Sequence, residues 1–102
     1  MTKPPVEYTV LLNDQLDDNE VEQIRNDLEQ RLGVSSAERT RFKRLKMNLL
    51  EVKSSSDDFK ELWGGNLEYK HDSWYCGNVE IPDKYQGKVM NVTIVRDRPV
   101  IL

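Results

Sequence analysis

The chain holds one histidine and one cysteine, His71 and Cys76, five positions apart. A thiolate nucleophile needs a base beside it and usually a third group to orient that base, so this is the one Cys–His pair on offer. His71 stands between Lys70 and Asp72 in a stretch that reads as a turn, and Cys76, between Tyr75 and Gly77, reads as a small strand residue. The adjacent carboxylates Asp17–Asp18 and Asp57–Asp58 have the oxygens a hard cation takes, but acids at helix starts serve caps and the helix dipole. Gly64 and Gly65 follow a helix instead of opening one, the reverse of a phosphate cradle. Asn91-Val92-Thr93 matches a glycosylation acceptor, but with no leader at the N-terminus it reads as chance. With single Cys and His residues, a Cys/His metal centre and an internal disulfide both fall away. The expectation is a non-enzyme with no catalytic residue, metal or cofactor.

A second chemistry lies in the charge layout. Net charge is −3, yet residues 1–38 carry nine acids against three bases, and residues 39–53 carry six bases against one acid. Inside this basic island, Arg39, Arg41, Lys43, Arg44 and Lys46 surround Phe42, a pattern that holds phosphates and stacks a base. Nucleic-acid binding through these six residues is therefore the alternative function. The competing reading, which we favour, is a solvated strand whose bases face the acidic first helix; the acidic chain as a whole repels a polyanion.

The elements that position these residues follow from periodicity. Val6, Tyr8, Val10 and Leu12 alternate with Glu7, Thr9 and Leu11, the period of a strand with one buried face. Asp17 and Glu20 stand at capping-box spacing, and Val21, Ile24, Leu28 and Leu32 form one helical stripe that Gly33 ends. Residues 39–52 read as one long strand or two short ones with a bulge or turn near Leu49. A short helix is opened by Ser56 and carries Phe59, Leu62 and Trp63. A hairpin follows, with its turn at Lys70–Ser73 and its second strand running from Trp74 to Ile81 across Gly77. Residues 82–87 break the chain, and the β-branched stretch Val89–Val95 is a last strand.

A chain of 102 residues, 37% hydrophobic and with no apolar run beyond three residues, makes one small domain without a membrane span. Residues 1–5 and 96–102 read as tails flanking a domain at 6–95. The order strand, helix, strands, helix, strands predicts an α+β, ferredoxin-like two-layer sandwich with both helices on one face of an antiparallel sheet. The absence of a basic, apolar leader gives a cytoplasmic expectation.

From Phe59 to Pro99 the chain resembles the C-terminal half of the propeptide of sedolisin and kumamolisin-type serine peptidases. The residues that carry the resemblance are Phe59, Trp63 and Gly64, then Leu67 and Tyr69, Tyr75 and Gly77, Val79, Ile81 and Pro82, and the closing Asp97, Arg98 and Pro99. Where that family has an apolar helix before its closing motif, residues 85–95 here read as turn and strand. The resemblance implies a free-standing propeptide-like domain that acts in trans as inhibitor or folding partner of a separately encoded serine peptidase. The tail, with Asp97, Arg98, Pro99, Val100, Ile101 and Leu102, would enter the substrate cleft as a product mimic. Trp74 would lie on a partner-binding sheet face. Strand edges add one expectation: a monomer or weak dimer that pairs through Val89–Val95, since the strand from Arg39 repels its own copy.

Overall fold

The computed structural model describes residues 4–32, 42–46 and 48–95, with backbone alone for residues 32 and 42–46. Strand β1 (Val6–Leu12) leads into helix α1 (Asp18–Leu32), and β2 (Phe42–Lys46) and β3 (Leu49–Ser54) follow as a hairpin. Helix α2 (Ser56–Trp63), a second hairpin of β4 (Leu67–Lys70) and β5 (Ser73–Cys76), a 3-10 turn at Asp83–Tyr85 and β6 (Val89–Ile94) complete the fold. The main sheet runs β2-β3-β1-β6 with every neighbour antiparallel. Helices join β1 to β2 and β3 to β6, and right-handed crossovers put both on one face. This is the split βαβ order of a ferredoxin-like, two-layer α+β sandwich, with the β4–β5 hairpin inserted before the last strand.

The sheet centre is built as its alternation dictates. Val6, Tyr8, Val10 and Leu12 are buried and share one core with Val21, Ile24 and Leu28 of α1 and with Phe59, Leu62 and Trp63 of α2. Tyr8 joins the layers: its hydroxyl accepts the Trp63 Nε1–H at 3.0 Å, and its ring meets Phe59 edge-on at 4.9 Å. Burial pushes its phenol up to about 12. The capping box at the start of α1 closes in both directions, Glu20 N–H to Asp17 Oδ1 at 2.8 Å and Asp17 N–H to Glu20 Oε1 at 3.2 Å. Helix α2 opens at Ser56, as the sequence suggested, and Ser55 caps it: its Oγ accepts the Asp58 N–H at 3.2 Å.

Three details depart from simple alternation, and all three shape one side of the molecule. The turn of the β4–β5 hairpin places both His71 (φ 53°) and Asp72 (φ 59°) in the left-handed region. Strand β5 ends at Cys76 and does not continue to Ile81, because its partner chain passes through Gly64 (φ 60°) and Gly65 (φ 76°), where extended pairing fails. Two bonds remain beyond the strand, Gly77 N–H to Asn66 O at 3.1 Å and Glu80 N–H to Trp63 O at 2.7 Å, so residues 77–81 are strapped to the end of α2. In β6, Leu11 pairs with Asn91 but Leu12 pairs with Val89, leaving Met90 in a β-bulge. The turn and strand expected over 85–95 in place of a helix are present, the strand as β6.

The first proline pair belongs to the fold, since the Pro4 carbonyl accepts the Trp74 Nε1–H at 3.1 Å. Gly33 as helix stop and the tail at 96–102 lie outside the described residues.

Candidate binding groove

Strand β6 is an edge of the main sheet, and its hydrogen-bond phase follows from the Val95 N–H, which donates to Glu7 O at 2.9 Å. In an antiparallel ladder such pairs recur every second residue, so Thr93 and Asn91 also turn their main-chain groups toward β1. Val92 and Ile94 turn theirs outward. Facing this edge stands the second half of the hairpin and the strapped segment behind it: Trp74, Cys76, Val79 and Ile81 border a groove of about 590 Å³ whose other side is Met90–Ile94. Among the described residues, every side chain that lines the groove is uncharged.

The groove holds its shape through glycine and hydrogen bonding. A Cβ on Gly65 would lie 2.8 Å from the Asn78 carbonyl oxygen and 3.0 Å from Cys76 Sγ, so that close approach of strap to helix end requires glycine. Behind it, Tyr85 is buried and its hydroxyl donates to Asp27 Oδ2, while Lys84 Nζ donates to Asp27 Oδ1 at 2.9 Å. The tyrosine contact and then the lysine hold the Asp27 carboxyl below its usual range, and burial followed by the Asp27 contact pushes the Tyr85 phenol up to about 12. This clip fixes the turn preceding β6 onto α1.

The residues singled out from sequence distribute unevenly. Trp74 lines the groove, but it is 6% exposed, its indole N–H is spent on Pro4, and its ring leans on Tyr69 at 5.0 Å. Its ring supports the wall of the groove, largely covered. Asp97, Arg98, Pro99, Val100, Ile101 and Leu102 lie outside the described residues, as do Arg39 and Arg41. Phe42, Lys43, Arg44 and Lys46 have their backbone in β2, the edge opposite the groove, where Lys43 pairs with Glu51 and Phe42 with Val52. Among the described residues, the backbone of the basic stretch and the groove lie at opposite edges of the sheet.

His71 and Cys76 occupy opposite ends of β5 and its turn, five residues or roughly 16 Å of extended chain apart. Burial pushes the half-buried Cys76 thiol up, away from the thiolate form. Among the described residues no group of three His, Cys, Asp or Glu side chains converges to hold a metal, and no helix is long and apolar enough to cross a membrane.

Sequence reasoning missed the strapped wall and the bulge. One signal for the bulge was present: Val89 and Val92 are both buried, three positions apart, a spacing that breaks a period of two. Comparison with family models, curated proteins and solved structures finds no match to this chain.

Proposed function

We propose that this protein is a non-catalytic protein-interaction module whose working element is the groove along the β6 edge. The observation that carries the reading is an outward-facing pair of main-chain positions, Val92 and Ile94, set across an uncharged groove from a fixed wall. An extended segment of another protein adds to such an edge by main-chain hydrogen bonding, while the wall sorts its side chains. In its finer form the partner is a separately encoded serine peptidase in the cytoplasm, for which the domain serves as propeptide-like inhibitor or folding partner. The ferredoxin-like strand order and the residues between Phe59 and Pro99 support that form, and residues 96–102 then enter the peptidase cleft.

A photo-crosslinking residue at Met90, which is exposed beside the groove, tests this against the same residue at Gln23 on the outer side of α1. The expected result is a serine peptidase captured from position 90 alone and inhibited by the purified domain, with inhibition weakened when residues 96–102 are deleted. Equal capture from both positions overturns the groove. A partner from position 90 that is no peptidase, or inhibition indifferent to the deletion, overturns the finer form.

A further inference from the structure

The outward face of β6 is not bare. The Val92 N–H, which the ladder phase turns away from β1, donates to Oδ1 of its own neighbour Asn91 at 2.9 Å. The same carboxamide is held from its other end, since Asn91 Nδ2 donates to Thr93 Oγ1 at 3.3 Å. Asn91 is exposed and its side chain makes no other described hydrogen bond, so it occupies the place that a neighbouring strand's carbonyl would fill. The N–H of Ile94 points the same way, two residues on.

We infer that Asn91 is a removable cap on the β6 edge, and that the group displacing it is a main-chain carbonyl of an uncharged, extended peptide segment of a partner protein. This rests on the groove reading above and adds the residue that regulates it. Charge selects the occupant: with no charged side chain lining the groove, a segment bearing acids or bases there loses hydration without a counter-charge. Across from the edge stand residues 77–81, held by the Gly77 amide on Asn66 O and the Glu80 amide on Trp63 O. Displacing Asn91 exchanges one hydrogen bond for another, so the cap lowers affinity without abolishing it, and keeps the edge satisfied when no partner is present.

The probe is the blocked, uncharged peptide acetyl-Ser-Thr-Val-Thr-Val-Thr-Ser-amide, titrated into the full chain while the backbone amide signals of Val92 and Ile94 are followed by NMR. A version N-methylated at its three central residues loses the central donors on both of its edges, and the bulk of its methyl groups keeps it from lying along a strand. The unmodified peptide is expected to shift both amides, the methylated one neither. Asn91→Ala is expected to tighten binding about three- to tenfold, and to speed hydrogen exchange at Val92. Asn91→Asp keeps an acceptor for that amide and adds charge, so binding is expected to weaken. Equal affinity for wild type and Asn91→Ala overturns the cap and leaves the groove standing; no response of either amide to the unmodified peptide, in either protein, overturns both. Concentration-dependent association of Asn91→Ala with itself, in place of peptide binding, overturns the assigned occupant in favour of a second copy.

Discussion

Tyr8 is the residue on which the two layers depend, and its protonation state carries a measurable consequence. Burial of its phenol outweighs the opposing pull of the Trp63 indole donor, so the folded protein holds the neutral form up to about pH 12, whereas the unfolded chain releases the proton near its ordinary value of 10.0. Between those values the folded state binds more protons, and stability therefore falls as pH rises from about 10 to 12, being fully present below. Urea unfolding at stepped pH is expected to show this loss. Tyr8→Phe removes the acceptor of a buried indole N–H and is expected to cost about 1–3 kcal/mol at neutral pH, while shallowing the alkaline decline. The decline does not vanish, because Tyr85 is raised in the same direction by burial and by Asp27.

Among the elements, the β4–β5 hairpin carries most of the local strain. A two-residue turn with both central residues left-handed suits Asn-Gly, and here the positions hold His71 and Asp72. Replacing them by Asn and Gly is expected to stabilise the domain by about 1 kcal/mol, visible as a rise of about 4–8 °C in Tm. Gly65→Ala tests the strap from the other side. Its Cβ would press on the Asn78 carbonyl at 2.8 Å from a left-handed backbone, so it is expected to lower Tm and loosen the groove even if the main sheet persists. The same contrast explains what could be read in advance. The strand at Val6–Leu12 and the capping box at Asp17 and Glu20 are local patterns, with spacing and chemistry agreeing within a few residues. The end of β5 at Cys76 is decided by the conformation of Gly64 and Gly65, eleven or more positions away, and the groove exists only where that strap meets β6. Both walls fall within residues 74–94, but no local pattern in that stretch says that they face each other.

At the scale of the whole molecule the two sheet edges differ. The β2 edge carries Lys43, Arg44 and Lys46 in its sequence, whereas β6 has no charge from Val89 to Val95. Like charges directly opposite one another destabilise strand pairing. Self-association is therefore expected through β6, and Ile94→Lys is expected to abolish whatever concentration-dependent mass increase light scattering detects. A dimer that survives this change would lie on another surface, where the exposed Leu11 of the open sheet face is the first place to look.

The position of β1 also bears on how the protein is made. Of the described strands it leaves the ribosome first, yet its outer neighbour leaves last: Thr9 pairs with Thr93, 84 positions later. Until β6 arrives, the odd-numbered residues of β1 have no partners on that side, and the strand that ends at the centre of the sheet spends synthesis as an edge. A nascent or prematurely terminated chain thus displays Val6–Leu12 to other chains, and a product ending at residue 88 is expected to sediment with the insoluble fraction where the full chain does not. The arrival of β6 pairs that side of β1 and removes the surface that invites aggregation.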